Sequence, residues 1–253
     1  MDAVEILLQA RHAHRPLEPM GAATPADLAA GYATQRRLAE RVGAVPPAGF
    51  KIGATTRQMQ HYLGLDGPVA GFVPAASLNR SGLGVPFARF HRPGVECEIA
   101  VRLGADLPFG PCDAARAAAA VAAVMPAIEI VENRYADLAS FGVPSLVADQ
   151  VFHASGVLGE ETGDWCGIDL EAVHGEMWVN GVSRGAGHGR DLLGGPMQAL
   201  AWLAASGAAE AFGGLKAGQV VWLGSVTPPI WLDGPGTVRV LFSEIGEVTL
   251  TFH

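Results

Sequence analysis

The chain has 253 residues, 49% apolar and only 17% charged, which is enough to build a sizeable core and rules out a disordered protein. A net charge of −8, with scattered arginines and no basic stripe, argues against a nucleic-acid backbone as partner. The three cysteines, Cys97, Cys112 and Cys166, lack metal-ligand spacing and read as reduced thiols of an intracellular protein. The acidic start Met1-Asp2-Ala3-Val4-Glu5 is unlike a signal peptide, and the longest apolar run, residues 117–128, is too short to span a bilayer. The expected setting is soluble cytoplasm, with no membrane partner.

Residues 2–13 carry apolar positions at helical spacing. Thr24-Pro25 offers an N-cap and a first-turn proline for a helix running to about Arg41, ended by Gly43 and Pro46-Pro47. A short strand is expected at 49–53, then a helix capped by Thr55 or Thr56 and stopped at Gly64, followed by the turn Leu65-Asp66-Gly67-Pro68. Strands dominate from about residue 70. Residues 95–103 alternate cleanly, 113–124 read as an alanine-rich helix, and Pro126 leads into a strand carrying Glu129. Asn180-Gly181 signals a type I′ hairpin, while the glycine-rich 185–190 reads as a flexible connection. Pro196 starts a helix to about Ala205, 220–223 is an apolar strand, and 237–242 and 247–252 alternate around a tight turn at Ile245-Gly246. Strand runs outnumber regular βα alternation, so the class is α+β: a small, mainly helical part over residues 1–80 and a β-rich body over 81–253.

Three glutamates carry the chemistry. In Val95-Glu96-Cys97-Glu98-Ile99-Ala100-Val101 the period of two places Glu96, Glu98 and Ala100 on one face and the apolar residues on the other. Glu129 lies in Met125-Pro126-Ala127-Ile128-Glu129-Ile130-Val131, a run of hydrocarbon with no cation nearby in sequence. A carboxylate buried there must be protonated, paired or metal-bound, and three oxygen ligands without a Cys/His cluster suit a hard dication such as Mg²⁺ or Mn²⁺. From the residues alone, a solvated strand face and a metal site both stand. Lys51, on a strand between Gly49 and Gly53, reads either as a snorkelling surface residue or as a cation aimed at an anionic substrate. Asp66 is either a turn residue or a general base, and Ser225 and Thr227, in Gly224-Ser225-Val226-Thr227-Pro228-Pro229, are either loop hydroxyls or substrate contacts. Nucleophilic catalysis has little support: there is no Gly-x-Ser-x-Gly elbow, and Cys97 reads as strand packing.

Taken together these segments resemble the fumarylacetoacetate hydrolase superfamily, in its 2-keto-4-pentenoate hydratase and 4-oxalocrotonate decarboxylase branch. The resemblance runs through Gly49–Thr55, Leu63–Pro68, Glu96-Cys97-Glu98, Ala127–Val131, Val147-Ala148-Asp149, Val179-Asn180-Gly181, Leu193–Pro196 and Leu215–Gly218. It implies the mixed β-sheet roll or sandwich body of that family and a homo-oligomer. It also implies that Glu96, Glu98 and Glu129 hold one Mg²⁺ or Mn²⁺, against which a 2-oxo or 2-hydroxy-dienoate acid binds. Lys51 and Asp66 are then the candidates for proton transfer, and Ser225 and Thr227 for substrate-carboxylate contacts. The implied reaction is hydration of 2-hydroxypenta-2,4-dienoate or a close analogue in aromatic catabolism. The alternatives are decarboxylation of a 2-oxo-3-enedioate, hydrolysis of an acylpyruvate, and a non-catalytic 2-oxo-acid-binding or partner-stabilising subunit. The chain departs from the family pattern at Gln150-Val151-Phe152-His153-Ala154-Ser155 and at Gly195. Bulky Phe152 and His153 are expected to bear on the substrate pocket and to leave the metal site unaffected.

Overall fold

A computed structural model of the chain describes residues 1–13, 15–137 and 140–253. Helix α1 (Ala3–His12) is capped by Asp2, whose carboxylate accepts the Glu5 N–H at 3.0 Å. Helix α2 (Leu28–Arg41) starts later than Thr24-Pro25 predicts: Asp27 is its cap, accepting from the Ala30 N–H at 2.8 Å, and Thr24 instead closes a short 3₁₀ turn. A carboxylate both accepts the orphan N–H and complements the positive helix end, which a threonine does not. Strand β1 (Gly49–Gly53) and helix α3 (Arg57–Leu63) follow as expected, with Thr56 as the cap and Gly64 closing α3 in the left-handed region at φ 67°. Then come β2 (Val69–Val73), β3 (Leu78–Arg80), β4 (Leu83–Val85) and the long β5 (Pro93–Leu103).

The expected alanine-rich helix is shorter than 113–124. Helix α4 (Ala114–Ala119) stops, and Val121 opens strand β6 (Val121–Glu132), where Val124 pairs with Val101 and Ala123 with Arg102. Valines at 121 and 124 favour the pleated ladder, and the long partner strand overrides the alanines' helical preference. Helix α5 (Gly142–Ala148) and strands β7 (His153–Leu158), β8 (His174–Val179) and β9 (Val182–His188) come next. The Asn180-Gly181 turn has φ 53° and 77°, as a type I′ turn requires. The glycine-rich stretch expected to be a flexible connection is the end of β9, paired with β8 through His188. Helices α6 (Pro196–Ala204) and α7 (Gly207–Phe212) precede β10 (Val220–Ser225), β11 (Ile230–Trp231), β12 (Gly236–Phe242) and β13 (Gly246–Phe252).

Among the described residues the strands form two sheets. One is eight-stranded, ordered β2-β1-β10-β5-β6-β7-β3 with β11 on β5; the other is five-stranded, ordered β4-β13-β12-β8-β9. Residues 1–80 thus hold α1–α3 and also contribute β1, β2 and β3 to the same sheet as β5 and β6. Parallel and antiparallel pairs are mixed, which fits the α+β class. The larger sheet curls into a roll. Its inner face brings Trp222 of β10 against Gly156 of β7, where an added Cβ would lie 2.3 Å from the indole. Val73, Ala100, Met125, Ala127, Val220 and Trp222 fill that interior. The opposite face carries Val95, Cys97, Ile99, Val101, Ile128 and Ile130 into the main core with the helices and the second sheet. No helix of the described residues is long and apolar enough to cross a membrane.

Between α5 and β7 the chain makes an unusual turn. Gln150, Val151 and Phe152 lie consecutively in the left-handed region, at φ 61°, 53° and 66°. Each such L-residue costs roughly 1–2 kcal/mol, and β-branched Val151 is among the least tolerant. The turn is held on every side. The Gln150 side chain donates to the Phe72 carbonyl at 2.8 Å and accepts from Arg11 at 2.5 Å, Val151 N–H donates to Leu146 O at 2.9 Å, and Glu132 N–H donates to Phe152 O at 2.9 Å. Just before it, buried Asp149 accepts from Arg11 Nη2 at 2.6 Å, Arg134 Nε at 3.0 Å and Tyr135 Oη at 3.3 Å. Burial alone would raise the Asp149 carboxyl, but Arg134 and Arg11 outweigh it and hold it below its ordinary value. Its contribution is therefore complete above the unfolded-state pKa, near 4, and is lost as pH falls through the lower folded value. Asp149→Asn is expected to lower stability at pH 7 by about 3 kcal/mol and to flatten the acid-side loss of stability. Urea unfolding of both proteins at pH 7 and pH 3 checks this; equal midpoints at pH 7 would contradict it.

Candidate metal centre and active-site cavity

The register of two long strands assembles the acidic cluster. Glu96 of β5 sits directly opposite Glu129 of β6, and Glu98 opposite Ala127, so all three carboxylates share the inner face of the roll with Ala100 and Ala127. One oxygen of each carboxylate lies within 4.8 Å of the others. Glu98 and Glu129 are fully buried, and Glu96 alone keeps partial exposure. On β1, Lys51 points to the same face, 2% exposed, with Nζ 3.1 Å from Glu129 Oε2. Gly53, two residues on, makes room for Val151: an added Cβ would meet Val151 Cγ1 at 2.8 Å.

Two bulges tune the cluster. Along β10, Trp222 pairs with Ala100 but Ser225, not Gly224, pairs with Glu98, so one residue is extra. That residue, Gly224 at φ 104°, turns its N–H onto Glu98 Oε2 at 2.9 Å. Along β7, Ser155 pairs with Ile130 but His153, not Ala154, pairs with Val131. The extra residue swings His153 onto the carboxylate face. Its Nδ1 lies 2.8 Å from Glu129 Oε1 and its Nε2 2.9 Å from Ser77 Oγ. Burial holds the imidazole below its ordinary pKa against the pull of Glu129, so the ring is neutral with one N–H. The carboxylate can only accept, which assigns that proton to Nδ1 and makes Nε2 the acceptor of the Ser77 hydroxyl. The same hydroxyl lies 2.9 Å from the Pro74 carbonyl, so two acceptors share one hydrogen.

The electrostatics are unbalanced. Burial would depress the Lys51 ammonium, but Glu129, Glu96 and Glu98 outweigh it and raise its pKa. Burial raises Glu129, yet Lys51 and His153 together bring it below its ordinary value. The other two carboxyls bear the excess: burial and the Glu129 charge push Glu96 up to about 8, and Glu98 well above its usual range. Glu98 Oε1 and Glu129 Oε2 are buried without a hydrogen-bond partner among the described residues. Lys51 Nζ is near the latter but poorly aligned with it. Two carboxylate oxygens without partners, a third carboxylate within reach and two carboxyls whose ionisation needs more positive charge than Lys51 supplies fit a hard, oxygen-seeking dication.

A cavity of about 1050 Å³ opens onto this cluster. Lys51 and Glu96 reach its wall; α3 and Thr55 line one side, Ser225–Pro229 and Trp231 another, with Phe152, Val131 and Asn133 between them. Phe152 is edge-on to Trp231 at 6.3 Å and to Tyr135 at 5.5 Å, giving the mouth an aromatic wall. A second groove, about 470 Å³, lies on the other sheet beside His174, Glu176 and Trp178. The buried charges lie at the larger cavity, and the site is assigned there.

The structure brings together most of the residues singled out in the sequence. Lys51 is buried and not a snorkelling surface group, and the three glutamates form an enclosed cluster and not a solvated face. Thr227 lines the cavity with a buried Oγ1 that has no hydrogen-bond partner among the described residues. Ser225 lines it too, but its Oγ is committed to the backbone, accepting from Cys97 N–H at 3.0 Å. Asp66 is exposed in the turn after α3 and is not part of the cavity lining. A correction falls on His153: the departure at 150–155, expected to spare the metal site, places a hydrogen-bond donor directly on Glu129. The available signal was an ionisable residue within the segment that departs from the family pattern, at the start of a strand.

The family model described as fumarylacetoacetate (FAA) hydrolase C-terminal matches residues 41–253. A 2-keto-4-pentenoate hydratase of Burkholderia vietnamiensis is 33% identical over 204 residues, spanning 81% of this chain and 77% of its own. Another, of Paraburkholderia xenovorans, is 30% identical over 260 residues, spanning 100% of this chain and 94% of its own. Among solved structures, a 4-oxalocrotonate decarboxylase from Pseudomonas putida G7, complexed with magnesium and adipate, shares the fold with a TM-score of 0.89 at 23% identity, over 99% of this chain and 97% of that one. With the matched region holding Lys51, all three glutamates and the cavity loops, the chain belongs to the fumarylacetoacetate hydrolase family.

Proposed function

We propose that this chain is a divalent-metal-dependent hydro-lyase that adds water to 2-hydroxypenta-2,4-dienoate or a close analogue, giving a 4-hydroxy-2-oxo acid. The carrying observation is the trio of carboxylates with the buried Lys51 ammonium at the wall of a substrate-sized cavity. Its support from relatives is the hydratase name carried by proteins of 30–33% identity. Glu96, Glu98 and Glu129 are the residues that would hold the ion, Mg²⁺ or Mn²⁺. When bound, a dication supplies Lewis-acid polarisation of the carboxylate and 2-oxo oxygens of such an acid.

The chain's own groups do the rest. Lys51 holds a proton at Nζ beside the place where the enol oxygen would lie, and its positive charge favours negative charge developing there. Hydration needs a proton on the terminal diene carbon as the enol becomes a 2-oxo-3-enoate, then conjugate addition of water, so that one H₂O is gained overall. Thr227 Oγ1, buried and unpartnered among the described residues, is free to bond the substrate carboxylate; Ser225 positions that loop through its backbone bonds. Asp66, the other candidate for proton transfer, is exposed in the turn after α3 and outside the cavity lining, so the proton is assigned to Lys51. Phe152 and Trp231 supply an apolar, aromatic part of the cavity wall for the diene. The reading includes a cytoplasmic homo-oligomer acting on small acids, with neither nucleic acid nor membrane as partner.

One observation favours decarboxylation of a 2-oxo-3-enedioate as a second reading. Arg57 and Arg92 line the same cavity and make no ion pair among the described residues, so a second substrate carboxylate would find a cation there. Product analysis separates the two, since one reaction gains water and the other releases CO₂.

Two results are expected. Mg²⁺ or Mn²⁺ at about a hundred times its Kd should stabilise the protein by about 2.7 kcal/mol, reversibly with EDTA, and Glu98→Gln should lose most of that gain; a melting curve indifferent to metal in the wild type would count against the site. Loss of the dienol ultraviolet band of 2-hydroxypenta-2,4-dienoate should be metal-dependent and yield a hydrated product. Lys51→Met should cut kcat by about 10²–10⁴ while still binding Mn²⁺. A Lys51→Met enzyme with wild-type kcat would remove the lysine from the mechanism.

A further inference from the structure

Among the described residues, two polar contacts of the cluster come from neither the strands bearing the glutamates nor Lys51: the Gly224 N–H on Glu98, and the side chain of His153 on Glu129. His153 is 3% exposed, and both ring nitrogens are engaged, Nδ1 with Glu129 Oε1 at 2.8 Å and Nε2 with Ser77 Oγ at 2.9 Å. It does not line the cavity, so it is not placed to touch substrate. Its backbone is fixed as firmly as its ring: His153 N–H donates to Gln150 O at 3.1 Å, and Arg134 Nη1 donates to His153 O at 3.4 Å. The left-handed turn at 150–152 and the bulge in β7 exist at this point of the chain, and together they set the imidazole on the carboxylate face.

The consequence for Glu129 is geometric. Its Oε1 is occupied by the imidazole N–H. Its Oε2 faces Lys51 Nζ at 3.1 Å and has no aligned hydrogen bond. A carboxylate so held offers one oxygen to an ion and cannot rotate to offer both.

We propose that His153 is a positioning residue of the metal centre: anchored by Ser77, it locks the Glu129 carboxylate through Oε1 and leaves Oε2 as its single metal-binding oxygen. This rests on the reading that Glu96, Glu98 and Glu129 hold a dication. It assigns to His153 the orienting part that hydrogen-bond partners of metal ligands play elsewhere, where their loss weakens metal binding about 10–100-fold.

The test is Mn²⁺ binding to metal-stripped protein, by calorimetry and by the Mn²⁺ paramagnetic resonance spectrum, with circular dichroism to confirm folding. His153→Phe keeps an aromatic ring but removes the donor, and is expected to weaken Mn²⁺ binding about 10–100-fold and to alter the bound-ion spectrum. His153→Asn keeps an amide donor near the position of Nδ1 and should recover most of the affinity, which a role in packing alone would not produce. Ser77→Ala, a small change at the far end of the relay, should weaken binding to a lesser degree and carries the test if His153→Phe does not fold. Wild-type affinity in folded His153→Phe, or in Ser77→Ala should it stand alone, would overturn the proposal. Glu129→Gln separates the two levels: if it abolishes binding while the His153 and Ser77 variants bind normally, the metal site stands and only the positioning role falls. If Glu129→Gln binds Mn²⁺ as tightly as wild type, the metal-centre reading falls, and the proposal with it.

Discussion

Three carboxyl groups that cannot all ionise inside a curled, largely apolar sheet are the constraint around which this molecule is arranged. They enter an interior lined by Val73, Ala100, Met125, Ala127, Val220 and Trp222, with the Lys51 ammonium to meet them. Burying ionised groups is costly unless each is paired and its lone pairs are satisfied. The chain supplies Lys51 Nζ, the Gly224 N–H and the His153 imidazole, and still leaves Glu98 Oε1 and Glu129 Oε2 without hydrogen-bond partners among the described residues. Among buried groups, such incompleteness points to a missing positive charge more readily than to a flaw of packing. The cluster also sits at the wall of the larger cavity, where Lys51 and Glu96 reach the lining.

Regular strands alone could not make these groups converge. Pairing of β5 with β6 sets Glu96 against Glu129, but the remaining partners arrive through irregular backbone: a bulge at Gly224, another before His153, and three left-handed residues at 150–152. That turn costs conformational energy locally and is held by the Asp149–Arg11–Arg134 ion cluster on one side and the Gln150 side chain on the other. Stability and chemistry are thus coupled along one short stretch. Asp149 secures the turn, Val151 and Phe152 line the cavity, and His153 reaches the carboxylates.

Legibility in the sequence followed regularity of structure. The faces of β5 could be read from its period of two, and the burial of Glu129 from its hydrocarbon neighbours, because both lie on long, regular strands. The residues alone left the glutamates open between a solvated face and a metal site. The family resemblance tilted that reading, and the register of β5 with β6 brings the carboxylates together. Lys51 was ambiguous because a strand lysine flanked by glycines looks the same whether its tip reaches water or a buried carboxylate. His153 was not readable as a contact of Glu129. One extra residue in β7 reverses the face on which it falls, and the left-handed turn before it contains no glycine to announce it. Helix ends failed for a related reason: the stop of α4 at Ala119 is decided by pairing with β5, and the start of α2 by a cap at Asp27 that Thr24-Pro25 imitates.

The most direct test of the central claim is the location of the ion itself. Crystals grown with Mn²⁺ should give one anomalous difference peak per chain, about 2.0–2.4 Å from carboxylate oxygens of Glu96, Glu98 and Glu129, with Oε2 as the Glu129 ligand. No peak at that cluster in such crystals, with Lys51 still the only cation facing Glu129 among the described residues, would contradict the account.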